Sequence, residues 1–112
     1  MSEFLSPRVN SARMPDYQGK NVRLSGKVLR LNDSANEVIL QAPDGGEVRV
    51  KFVQAPALTS QYIEVVGNVT APDALKGHAV IDLGDDYDLE LANFVVEKWH
   101  DPKFASLTGL GL

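Results

Sequence analysis

One stretch limits what this 112-residue chain can fold into: Asp88-Leu-Glu-Leu-Ala-Asn-Phe-Val-Val-Glu-Lys-Trp99, the only segment with a long helical period. At about 100° per residue, Leu89, Leu91, Ala92, Val95, Val96 and Trp99 fall in one broad apolar stripe, with Glu90, Asn93, Glu97 and His100 opposite. Asp88 suits an N-cap, Glu90 the positive end of the helix dipole, and Lys98 and His100 the negative end. Asp101-Pro102 then stops the helix. Whatever lies upstream must therefore be built from strands and turns.

Residues 1–19, with Pro7, Pro15 and Gly19, read as an N-terminal arm laid on the rest by Val9, Met14 and Tyr17. Lys20 to Leu31 reads as the first strand. Val22, Leu24 and Val28 share one parity, and Leu29 and Leu31 take the other, with Gly26 between them. A change of phase around a strand glycine predicts a bulge or a sharp bend. Asn32 to Asn36 is a turn, Glu37 to Ala42 the second strand, and Pro43-Asp-Gly-Gly46 a hairpin signal. Glu47 to Val53 alternates cleanly, with Val48, Val50 and Phe52 on one face. Gln54 to Ser60 connects it to a fourth strand, Tyr62 to Thr70, with Ile63, Val65 and Val69 inward and Gly67 as a second bend. Ala71 to Gly77 reads as a loop, and His78 to Leu83 as a fifth strand with Ala79, Ile81 and Leu83 on one face. Gly84 to Asp88 leads into the helix.

Five strands, two strand glycines and a longer link between strands three and four fit an all-β, five-stranded Greek-key OB-fold barrel with a C-terminal α-helix. An SH3-like barrel competes on strand count but does not predict a helix of this length. The expected organisation is a single OB-fold domain over 1–112: arm 1–19, barrel 20–84, C-terminal helix 88–101 and tail 102–112.

Net charge is −4. Residues 1–51 hold eight Lys or Arg against six Asp or Glu, whereas residues 52–112 hold three against nine. A protein devoted to gripping a polyphosphate backbone is usually basic overall, and this one is not. With no cysteine, disulfides and cysteine-based metal sites are excluded. No signal peptide is expected at the N-terminus, and no apolar run approaches the roughly 18 residues that span a membrane. A soluble, intracellular protein is the expectation.

The order and spacing of several segments resemble the small subunit of the replication protein A heterotrimer, the replication factor A protein 3 family. The similarity begins at Arg8-Val9-Asn10 and continues through Val22-Arg-Leu-Ser-Gly26-Lys-Val28 and Tyr62-Ile-Glu-Val-Val-Gly67-Asn-Val-Thr70. It ends with Asp88-Leu-Glu-Leu91 and the following helix. It covers roughly residues 8 to 101, and the glycine-rich end Thr108 to Leu112 departs from it. The resemblance implies an OB-fold whose C-terminal helix bundles with helices of the large and middle subunits. It also implies a nuclear role in DNA replication, repair and recombination, with little or no direct DNA contact by this chain. The small subunit of the telomeric complex built like replication protein A would share the same fold and helix logic.

On residues alone the helix stripe has two fates: covering its own barrel, or seating partners. A closed barrel fills its own interior and needs only a narrow seam from a following helix. The stripe is about 160° wide, and Phe94 widens it further. That leaves Leu91, Phe94, Val95 and Trp99 as candidate partner-binding residues. Arg23, Lys27, Arg49 and Lys51 are candidates for a weak nucleic-acid contact on the outer face of strands one to three. Single-strand binders pair such cations with aromatic stacking platforms, and no aromatic points outward there. A stand-alone nucleic-acid-binding barrel is therefore the alternative function.

Chemistry finds no footing. His78 and His100 lack metal-ligand spacing. Asp85, Asp86 and Asp88 lack the later ligands of a calcium loop. Pro43 to Gly46 lacks the Lys-Ser/Thr of a phosphate loop, and no serine lies in a nucleophile motif. The chain is expected to be no enzyme, with no cofactor, metal or small-molecule substrate.

Overall fold

A computed structural model describes residues 6–54 and 56–101. The expected tail 102–112, Pro102 as the helix stop, and the first five residues of the arm lie outside them. Five strands follow in order, β1 (Asn21–Asn32), β2 (Glu37–Gln41), β3 (Glu47–Lys51), β4 (Tyr62–Ala71) and β5 (Ala74–Gly84), and then helix α1 (Leu89–Trp99). They close into a barrel in the order β1-β2-β3-β5-β4, with β4 returning to β1. This is the Greek-key OB-fold. All ladders are antiparallel except β3–β5, which runs parallel.

Closure depends on β1, which is long enough to serve two neighbours. Asn21 to Lys27 pair with β4, Lys27 to Asn32 pair with β2, and Lys27 belongs to both ladders. At the crossing a Cβ on Gly26 would lie 2.8 Å from the Gln41 carbonyl oxygen, so only glycine lets the strands approach. The register shift itself falls later, between Val28 and Arg30, and leaves Leu29 and Leu31 partly exposed beyond the core. Gly67 does the same for β4. A Cβ there would lie 2.5 Å from the Lys76 carbonyl oxygen.

The core takes Val22 and Leu24 from β1, Val38 and Leu40 from β2, Val48 and Val50 from β3, Ile63, Val65 and Val69 from β4, and Leu75 from β5. Val9 and Met14 of the arm join it, fully buried. Residues 7–9 run beside β1: the Arg23 N–H donates to the Pro7 carbonyl and the Val9 N–H to the Arg23 carbonyl. A short 3-10 turn over Met14–Tyr17 then drops Met14 into the barrel.

Two expectations at β5 need correction. The loop over Ala71 to Gly77 is only a tight turn at Pro72-Asp73, and the strand already begins at Ala74. Ala79 and Ile81 face solvent, and it is Val80 that packs on the core. The cause is a bulge: Gly67 pairs with Gly77 and Val66 with Ala79, which skips His78 and inverts the side-chain alternation. β3 also ends at Lys51, short of the expected Val53, whose side chain is exposed. Phe52 keeps its inward parity, and its ring fills the space where a Gly77 side chain would be.

Candidate partner-binding helix

Local sequence fixes the start of α1. The Asp88 carboxylate accepts the Leu91 N–H at 3.0 Å, the N-cap that an aspartate before an apolar run predicts. Asp85 of the same acidic loop accepts the Gln61 N–H at 2.8 Å, tying the helix entrance to the start of β4. Two aspartates of the apparent calcium loop thus have structural roles. Among the described residues, no group of three or more histidines and carboxylates is placed to hold a metal ion. No helix there is long and apolar enough to cross a membrane.

The helix divides its apolar stripe in two. Ala92 and Val96 are 8% and 2% exposed and form the seam against the chain's own body. Leu91, Phe94 and Val95 remain 59%, 57% and 44% exposed, and Trp99 is half-buried. The Lys98 ammonium lies 5.4 Å from the centre of the exposed Phe94 ring. Between α1 and the outer face of β1, β4 and β5 runs a groove of about 570 Å³. Leu91, Val95 and Val96 wall one side, and Leu83 the other. Its floor is ionic: the nearly buried Glu64 carboxylate lies 3.3 Å from both Arg8 and Arg23.

The polar side of α1 does not simply face water. Asn10 of the arm is 2% exposed, and its amide nitrogen donates to Asn93 and to Glu97, each at 2.8 Å. Its oxygen accepts the Arg13 N–H at 3.2 Å. The Arg13 guanidinium meets both Glu97 oxygens, at 2.7 and 3.0 Å, in a fork geometry. The ring nitrogen Nε2 of His100 lies 2.8 Å from the Arg8 carbonyl oxygen, to which it donates. Asp44, in the hairpin between β2 and β3, accepts the Ser11 hydroxyl and the N–H groups of Ser11 and Ala12 and so anchors the arm's other end. Burial pushes that carboxyl up, but the hydrogen bonds from Ser11 and Ala12 outweigh it and leave it below its ordinary value.

Arg13 first, and Asn10 second, hold the Glu97 carboxyl below its ordinary value of 4.5, and the same contact raises Arg13. A carboxylate stabilised in the folded state contributes fully above its unfolded pKa and loses that contribution as pH falls through the lowered folded value. The arm–helix contact should therefore be whole at neutral pH and weaken only in acid. An NMR titration of the Glu97 carboxyl carbon is expected to give a midpoint below 4.5. A midpoint at or above that value would contradict the contact.

The four cations proposed for nucleic acid are not brought together. Arg23 lies where β1 pairs with β4, and its guanidinium meets Glu64 beneath the helix. Arg49 sits 3.5 Å from Glu37 on the neighbouring strand, and Lys51 is in register with Glu37 on one side and Lys76 on the other. Lys27 stands at the crossing of the two ladders, between Gln41 and Tyr62. Interleaved carboxylates blunt this face, and the Tyr62 ring packs at a 46° tilt against Tyr87 instead of standing free on it. Sequence reasoning missed Asn10, Arg13 and Glu64. Asn10 lay in the Arg8-Val9-Asn10 run and Glu64 in the Tyr62 to Thr70 segment, both of which carried the family resemblance without a stated role, whereas Arg13 carried no signal.

With this geometry the chain matches the family model for replication factor A protein 3 over residues 1–104. Comparison with curated proteins finds no match. Among solved structures it is similar to a chain of Ustilago maydis replication protein A bound to single-stranded DNA. That match has 28% identity, a TM-score of 0.76, and coverage of 91% of this chain and 94% of the other. It also resembles a chain of the Schizosaccharomyces pombe Stn1–Ten1 complex (11% identity, TM-score 0.67, 84% and 90% covered). The telomere capping protein Ten1 from the same yeast is similar at 14% identity and a TM-score of 0.67, with 84% and 96% covered. These last two likenesses speak to the fold. The chain belongs to the replication factor A protein 3 family.

Proposed function

We propose that this chain is a non-catalytic small subunit that assembles and stabilises a nuclear replication protein A heterotrimer, with α1 as the surface on which the large and middle subunits gather. The observation that carries this is the exposure of Leu91, Phe94 and Val95 on a helix whose other sides are already engaged. An apolar ridge of this kind, held in place and uncovered, suits a protein partner. Single-stranded DNA is then bound through the complex, with little or no direct contact by this barrel. The dispersed and partly neutralised cations support that division of labour.

The test is co-expression of this chain with the large and middle subunits of its own organism. A stoichiometric three-chain complex recovered by gel filtration is the expected result. The isolated chain should bind single-stranded DNA negligibly at physiological salt. Sub-micromolar binding with a steep salt dependence would instead favour a stand-alone nucleic-acid-binding barrel. Recovery of this chain with a telomeric large subunit would move the reading to the telomeric complex, whose small subunit shares the fold.

A further inference from the structure

We infer that Arg8-Val9-Asn10 is a positioning clamp that sets the angle of α1 on the barrel, so that the helix is presented to its partners already oriented. The inference rests on the assembly reading above. Three consecutive residues reach three different parts of the fold. The Arg8 side chain meets Glu64 on β4, Val9 is fully buried in the barrel core, and the Asn10 amide grips Asn93 and Glu97 on α1. The Arg8 carbonyl also receives His100 at the far end of the helix.

The apolar seam cannot fix this angle alone. Its buried part is Ala92 and Val96, two small side chains one turn apart with Leu89 and Trp99 only half-buried beside them, and the groove of about 570 Å³ leaves the Leu91–Val95 edge largely exposed. A helix resting on so narrow a ridge can roll. Directional hydrogen bonds to Asn93, Glu97 and His100, spread over two turns, oppose that motion. Asn10 is the centre of the clamp because it is buried and uses both ends of its amide, donating twice to α1 and accepting from Arg13. Holding a binding element in its bound pose reduces the ordering cost of association.

The experiment compares wild type, Asn10→Ala and, as an interface control, Val95→Ala, each as full chain with the large and middle subunits. Asn10→Ala is expected to slow association roughly tenfold with little change in dissociation, the signature of lost pre-organisation. Val95→Ala is expected to act mainly on dissociation. In the isolated chain, hydrogen exchange should show Asn10→Ala losing protection at the amides of residues 93–100 while the β-strand amides keep theirs. Asn10→Ser, which retains a short donor and acceptor, should restore part of the rate. Unchanged helix protection, or lost protection with an unchanged association rate, would overturn the clamp. Failure of wild type to assemble at all would sink the assembly reading, and the exchange result would still report separately whether Asn10 holds the helix.

Discussion

A chain carrying Leu91→Asp and Val95→Asp is expected to fold and to lose co-purification with the large and middle subunits altogether. Both positions lie on the exposed part of the α1 stripe, so neither carboxylate enters the core of the free chain. Asp at position 91 keeps the backbone N–H that Asp88 caps, and added negative charge in the first turns suits the helix dipole. In a buried interface the same change forfeits about 1.5–3 kcal/mol of apolar burial at each position. It also brings two carboxylates out of water without partners, at a further cost of several kcal/mol. A combined loss of about 6 kcal/mol or more exceeds four decades in affinity. Pull-down from co-expressing cells reads the loss, and far-ultraviolet circular dichroism with thermal melting shows whether the chain itself still folds. Normal assembly by the double variant would remove α1 from the interface. Trp99 is a poorer probe because it is half-buried in the free chain, so its replacement mixes folding with assembly.

The second large effect is on the barrel. Gly67→Ala is expected to cost about 3–5 kcal/mol, a size reserved for changes the structure cannot relax around. The added methyl would meet the Lys76 carbonyl oxygen at 2.5 Å and its carbonyl carbon at 3.1 Å, with the Gly77 Cα at 3.2 Å. All three are backbone atoms of a paired strand, and none can move without breaking the β4–β5 ladder. Gly26→Ala should cost less, since its nearest contact is 2.8 Å and the next, at 3.2 Å, is the Leu40 side chain. Urea unfolding of the three chains would give the order directly. Near-equal stability of Gly67→Ala and wild type would mean that β5 lies differently across β4.

Much of the barrel was legible because strand signals are local. Alternation at Val48 and Val50 and the glycines at 26 and 67 placed the strands and the crossings. The bulge at His78 was not legible, because the skipped residue is set by where Gly67 and Gly77 meet across the ladder, and periodicity inverted without a sequence mark. The placement of the cation set was not legible for a related reason. Parity told which way Arg23 and Arg49 point but not which strand lies beside each, and Arg23 stands against β4, with Glu64 beside it, instead of β2. The expected helix ran over 88–101; α1 spans Leu89–Trp99, with the aspartate cap at Asp88 in place and His100 as its C-cap. Its polar side was placed opposite the stripe with no partner assigned, because Asn93 and Glu97 find theirs in the arm, at separations of more than eighty residues.

Those separations carry a consequence for how the chain reaches its native state. The contacts of Asn10, Arg13 and Arg8 with the helix join residues 83 to 92 positions apart, so they form only once the whole barrel lies between them. During synthesis the arm is made first and waits through every strand for its partner, and loop-closure entropy makes this step late and topology-limited. A chain whose barrel is incomplete or misregistered cannot bring arm and helix together. The helix thus acquires its fixed pose only on a finished barrel, so under the proposed assembly that pose would report correct folding to a partner.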